Sequence, residues 1–212
     1  MNALARAMLH NAAGLALFAA ITAGAIGITR ILTQDRIEQQ ETRARYATLK
    51  EVIPENRYTN EPGADTFDLP QTDNPAIKTR DEAFFARRNN RITGIILPAT
   101  APDGYSGAID LLVGIDQNGT ITGVRVTNHA ETPGLGDAIE ADKSDWILDF
   151  SGRSLDNPPP EGWRVVPNGG ELDALSGATI TSSAVVRAVY RSLVFFDNNR
   201  DYFLKRTVSN AE

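Results

Sequence analysis

The 212-residue chain has no cysteine and only two histidines, His10 and His129. Without thiols it can form no disulfide, thiolate metal site, iron–sulfur ligation or cysteine nucleophile. Two histidines, one of them inside an apolar stretch, cannot furnish a histidine-rich metal centre, and only His129 is left for a triad. Basic charge is also scarce: 21 Lys and Arg stand against 27 Asp and Glu, for a net charge of −6 and a pI near 5.0. No basic patch interrupts that balance, which argues against nucleic-acid binding. The glycine fingerprint of a dinucleotide site is missing as well.

A long apolar run comes first among the features present. Residues 7–29 hold no Asp, Glu, Lys or Arg, and as a helix they would extend about 35 Å, enough to cross a bilayer core. From Gly14 to Ile21 the run is apolar on every face, unlike the striped helix of a soluble fold. A cleaved signal peptide is the competing reading, because Arg6 gives a short basic n-region and Ala23-Gly24-Ala25 has the small-x-small form of a cleavage site. The apolar character continues through Ile26, Ile28, Ile31 and Leu32, which favours an uncleaved transmembrane anchor over residues 1–32. Only Arg6 precedes the run, whereas Arg30, Arg36, Arg43 and Arg45 follow it. By the positive-inside bias the remainder would then lie in the cytoplasm. One uncharged span offers no path for ions.

Residues 33–80 read as a polar helical stalk stopped by Pro54, then an irregular connection carrying Pro62, Gly63, Pro70 and Pro75 with a short strand. Residues 81–212 are expected to be the folded domain. Ile92, Ile95, Ile96 and Leu97 predict a strand ending at Pro98, and Asp103-Gly104 marks a turn. Alternation of Ile109, Leu111, Val113 and Ile115 with Asp110, Leu112, Gly114 and Asp116 predicts a half-buried strand with one apolar face. Asn118-Gly119 is a strong hairpin signal, so Thr120–Val126 is the return strand, with Gly123 a candidate bulge.

Between His129 and Asp137 runs a loop in which Pro133, Gly134 and Gly136 would let the backbone approach a planar ligand closely. Plain turn chemistry would account for the same residues. Ala138–Trp146 reads as a short helix, Trp146, Ile147 and Phe150 as the lead into a strand, and Trp163–Val166 as a further strand. Trp146 is a candidate for stacking on a ring, with core packing the preferred role. Val185, Val186, Val189, Tyr190, Leu193, Val194 and Phe196 recur at intervals of three and four, predicting a long C-terminal helix with Thr181, Ser182 and Ser183 as capping candidates and Thr179 just outside its end. Hairpins without βαβ alternation predict an α+β domain with a mainly antiparallel sheet.

Ser176-Gly177-Ala178-Thr179, followed by Thr181-Ser182, resembles the flavinylation motif of the FMN-binding domains in the RnfG and NqrC subunits of bacterial ion-translocating redox complexes. His129-Ala130-Glu131-Thr132-Pro133-Gly134-Leu135-Gly136 resembles that family's glycine-rich flavin loop. With the apolar N-terminal segment, the resemblance covers nearly the whole chain and fits RnfG best.

It implies FMN bound covalently through a phosphoester to Thr179, placed there by a flavin transferase that transfers the FMN half of FAD. Ser176, Gly177 and Ala178 would shape the attachment loop. Noncovalent contacts would come from Glu131, Thr132, Gly134 and Leu135. A phosphate near a helix N-terminus would gain roughly 0.3–1 kcal/mol. The resemblance further implies a domain on the periplasmic side of the bacterial inner membrane, opposite to the charge count. The chain would relay electrons beside the other subunits of the Rnf complex, which couples electron transfer between NADH and ferredoxin to Na⁺ or H⁺ movement, and would not be catalytic alone. Two other readings stand: an NqrC-type subunit of a Na⁺-pumping NADH:quinone reductase, and a membrane-anchored sensor or assembly protein without redox turnover.

Overall fold

The N-terminal run is helical throughout. In the computed structural model, which describes residues 3–78 and 82–205, α1 spans Ala3–Val52. The stretch His10–Arg30 has a mean hydropathy of 1.9 and is long and apolar enough to cross a membrane. Leu15, Phe18 and Ile26 are 72%, 68% and 69% exposed. That much apolar surface is unfavourable in water and favourable in lipid. The hydroxyls of Thr22 and Thr29 donate to the carbonyls of Phe18 and Ala25 four residues earlier, so neither brings an unsatisfied polar group into hydrocarbon. The chain is membrane-anchored by this segment.

Two compact units divide at residue 44, Met1–Ala44 and Arg45–Glu212. The expected start of the folded domain, at residues 80 and 81, lies outside the described residues. Within the second unit, β1 (Thr66–Asp68), β2 (Glu82–Arg88), β3 (Arg91–Ala101), β4 (Ile109–Asp116) and β5 (Ile121–Asn128) form one sheet in the order β1-β2-β3-β4-β5. Every neighbouring pair is antiparallel. α2 (Thr179–Asn198) and the short α3 (Arg200–Leu204) follow. This is the expected α+β class.

Pro98 lies inside β3, opposite Leu112 of β4, and does not end the strand. The N–H of Thr100 donates to Ala76 O at 2.8 Å, on the side away from β4. By the two-residue period the nitrogen of Pro98 points the same way, beyond the last β2–β3 pair at Phe84 and Ile96. A proline there removes no ladder hydrogen bond.

β4 is buried on both faces, where the sequence pattern predicts one. On the first face Leu111, Val113 and Ile115 pack with Ile95, Leu97 and Val124 against Val185, Val189, Leu193 and Phe196 of α2. On the second, Leu112 joins Phe84 and Ile96 beneath Leu49, Val52 and Ile53 at the end of α1. Full burial of each such side chain is worth about 1.5–3 kcal/mol. The predicted hairpin forms, with Gly119 at φ +86° and its amide donating to Asp116 O at 2.9 Å. A register shift beside Gly114 and Gly123 leaves Thr122 as the extra residue, and its hydroxyl donates to Val52 O at 2.8 Å, satisfying a carbonyl at the end of α1.

Glycine is required under that helix end. A Cβ on Gly114 would sit 2.6 Å from Val52 Cγ1 and 2.8 Å from Val52 O, and one on Gly123 would sit 2.8 Å from the same oxygen. Gly114→Ala should therefore destabilise the domain by about 1–3 kcal/mol, lowering Tm by about 2–10 °C. Thermal unfolding monitored by circular dichroism checks this, and an unchanged Tm would mean that Val52 does not rest on the sheet.

The segment between β5 and α2 departs from the expected elements. Asp145–Phe150 is a 3₁₀ helix, not the approach to a strand. Ala138–Trp146 is not one short helix but a 3₁₀ turn at Gly136–Ile139 followed by further turns. Trp163–Val166 is no strand, since 3₁₀ turns at Pro160–Gly162 and Val166–Asn168 flank it and its only ladder contact among the described residues is an isolated bridge from Val165 to Leu172. Prolines 158–160 remove three amide donors in succession, and Gly169 adopts φ +80°, so no sustained ladder can form there. Trp146 is core, 9% exposed, with Nε1 donating to Asp173 O at 2.8 Å.

Candidate functional site

Three segments meet at the N-terminal end of α2: the β3–β4 turn, the loop after β5, and the first helical turn itself. Helix α2 begins at Thr179 with Ala178 as N-cap, and no side chain caps it. The anticipated caps are engaged elsewhere. Thr181 donates to Glu131 Oε2 at 2.7 Å, Ser183 accepts from Asn168 Nδ2 at 3.0 Å, and Ser182 both donates to Ala178 O and accepts from Leu175 N, each at 3.0 Å. With these hydroxyls held by Glu131, Asn168 and the backbone of Leu175 and Ala178, none caps the helix, which starts earlier and includes Thr179. The amides of the first turn are left without intrahelical acceptors, and no acidic residue occupies that turn.

Glu131 organises the approach. It is only 4% exposed. Its Oε1 accepts from the Ser106 amide at 3.0 Å and its Oε2 from Thr181, joining the turn, the loop and the helix through one carboxylate. Two glycines make room for it: a Cβ on Gly104 would lie 2.8 Å from Oε1, and one on Gly136 would lie 2.9 Å from Oε2. The Glu131 amide donates to His129 Nδ1 at 3.0 Å. An accepting Nδ1 places the ring proton on Nε2, which lies 2.9 Å from Glu140 Oε1. The loop then turns tightly, the carbonyl of Thr132 accepting from the amides of Leu135, Gly136 and Asp137 at 3.2, 3.0 and 3.3 Å, with Gly134 at φ +78°.

Between these segments lies a cleft of about 560 Å³, within the range of small-molecule sites. Of the residues singled out from sequence, Glu131, Thr132, Leu135, Gly177, Ala178 and Thr179 line it. Ser176 and Gly134 do not; Ser176 is exposed, and Gly134 serves the turn. Gly177 has φ +77°, and a Cβ there would lie 3.2 Å from Leu135 Cδ2, so a side chain would both strain the backbone and crowd the cleft. Thr179 is partly exposed.

Tyr105, Gly136, Ile180 and Thr181 complete the lining. Gly136 and Thr181 belong to the quoted motifs without having been assigned to the site. Tyr105 carries no signal beyond its place after Asp103-Gly104. Tyr105, Ile180 and Leu135 are 69%, 55% and 49% exposed. Apolar side chains standing open at the mouth of a polar-floored cleft are the surfaces a planar ring would cover.

A flavin-type cofactor fits this cavity: it offers apolar walls, hydroxyls and a helix N-terminus whose first turn carries no acidic residue, the one carboxylate nearby, Glu131, being buried and engaged by Ser106 and Thr181. Fold and cleft together define a flavin-binding domain carried on a membrane-anchoring helix. Comparison with known proteins agrees: a family model of the FMN-binding domain matches residues 104–194, and one of the RnfG N-terminal region matches residues 1–52. The G subunit of the Pseudomonas aeruginosa ion-translocating oxidoreductase complex is 43% identical over 199 residues, covering 94% of this chain and 93% of that protein. Its Vibrio vulnificus namesake is 38% identical over 206 residues, 96% of each. The crystal structure of NqrC from Shewanella oneidensis shares 26% identity over 71% of this chain and 73% of that one, with a TM-score of 0.48. The chain belongs to the family of G subunits of ion-translocating oxidoreductase complexes.

Proposed function

We propose that the protein relays electrons through FMN esterified to Thr179, as one subunit of an ion-translocating oxidoreductase complex. The observation that carries this reading is the place of Thr179, partly exposed in the cleft wall at the uncapped first turn of α2. A phosphodiester there carries one negative charge beside free amides, a favourable pairing of about 0.3–1 kcal/mol. Attachment forms a bond from Thr179 Oγ1 to phosphorus and breaks the pyrophosphate link of FAD; AMP leaves, and a flavin transferase takes the hydroxyl proton. Once tethered, the ring has a high effective concentration at its seat, so modest contacts from Leu135, Tyr105 and Ile180 suffice to hold it. When bound, FMN supplies one- and two-electron exchange, while the surrounding groups orient it and set its potential.

Redox turnover separates this reading from a sensor or assembly role. In membranes containing the whole complex, rapid mixing with the electron donor should bleach the flavin absorbance of this subunit no more slowly than the complex turns over. A flavin that stays oxidised during turnover would overturn the relay. The family resemblance supports a domain on the periplasmic side, and the opposing charge count weighs little because long domains translocate largely regardless of flanking charge. Protease added to sealed spheroplasts should then digest the domain, whereas full protection would put it in the cytoplasm.

A further inference from the structure

We infer that a second groove, along α2 beyond the flavin cleft, seats an acidic segment with an apolar anchor contributed by another subunit of the complex. It encloses about 390 Å³ between the helix face carrying Val186, Arg187, Tyr190 and Arg191 and the turn carrying Trp163 and Arg164. No residue lines both cavities, so the two can be filled together. Val186 and Trp163 are buried, at 0% and 3% exposure, and make an apolar floor, with the Tyr190 ring 5.7 Å from that of Trp163.

Three guanidinium groups flank this floor on a chain whose net charge is −6. Arg187 pairs with Asp103 at 2.6 Å. Among the described residues Arg164 and Arg191 have no side-chain partner. Arginine presents a planar fork suited to carboxylates, and two such forks held open beside an apolar slot complement a segment in which Asp or Glu flanks a large apolar side chain.

The polar groups of the floor are already satisfied: Ser183 accepts from Asn168 at 3.0 Å, and Trp163 Nε1 donates to Ser154 O at 3.2 Å. A ligand confined to the floor would meet only apolar surface and satisfied groups, its polar contacts being left to the arginines at the rim. An apolar centre inside a charged rim is the anatomy of a protein interface. This inference rests on membership of the complex, proposed above, and not on the flavin.

The test uses the full-length chain in its native membrane, with a photo-crosslinking phenylalanine derivative replacing Val166, which is 55% exposed beside the groove. Illumination and peptide mass spectrometry should identify a segment of another subunit that carries acidic residues around an apolar one. Arg164→Glu combined with Arg191→Glu should reduce the crosslink by about tenfold or more, as should raised salt in part, with flavin content unchanged. A crosslink to a second copy of this chain, to lipid or to no protein would overturn the inference, as would a yield insensitive to the charge reversal. Retained flavin keeps that failure distinct from failure of the electron-carrier reading.

Discussion

Thr179→Ala should abolish the flavin fluorescence that migrates with the denatured full-length protein after expression with a flavin transferase, and intact mass spectrometry should find only the bare polypeptide. The structure makes this a sharp expectation because the neighbouring hydroxyls are not free to substitute. Thr181 is 1% exposed and donates to Glu131, and Ser182 is fully buried between Ala178 and Leu175. Ser176 is exposed but does not line the cleft. Ser176→Ala should therefore keep the modification, and Thr179→Ser should keep a part of it, since the oxygen stays in place. Stability should change by no more than about 0.5 kcal/mol on Thr179→Ala, because the side chain is partly exposed and makes no side-chain hydrogen bond among the described residues. Fluorescence surviving in Thr179→Ala would move the attachment point to another residue.

Local chemistry made much of this fold legible. Asn118-Gly119 specifies its turn without help from the rest of the chain, and the three- and four-residue spacing from Val185 to Phe196 marks a helix whatever it packs on. Misreadings arose where a distant element supplied the missing partner. Leu112 looks solvent-facing in its alternating strand until Leu49, Val52 and Ile53, some sixty residues earlier, cover it. Pro98 looks like a strand end until Ala76 is seen to receive the neighbouring Thr100 amide on the open side.

The candidate site divides in the same way. Its two short motifs, 129–136 and 176–179, are contiguous and can be recognised as strings. The clamp that brings them together joins Glu131 to Thr181 and Ser106, and nothing in the spacing of those residues announces it. Tyr105 enters the lining only because the β3–β4 turn folds over the loop, held to α2 by the pair of Asp103 and Arg187.

Glu131→Ala should be strongly destabilising, costing about 3–5 kcal/mol. Two donors point at this buried carboxylate, the Ser106 amide and the Thr181 hydroxyl. A charge-assisted hydrogen bond contributes about 1.5–3 kcal/mol, and removing the acceptor leaves each donor short of a partner. For a unit of this size Tm should fall by about 6–20 °C. Glu131→Gln should cost only about 1 kcal/mol: its carbonyl can still accept from Ser106, and its amide can donate to a Thr181 hydroxyl rotated to accept. Thr181→Val loses one bond, so a cycle of Glu131→Ala and Thr181→Val should show a coupling energy of about 0.5–3 kcal/mol. Urea denaturation with an unchanged m-value is the measurement. Were Ala and Gln equally tolerated, or the coupling absent, the carboxylate would not be what holds turn, loop and helix together, and the cleft would owe its shape to the glycines at 104, 136 and 177 alone.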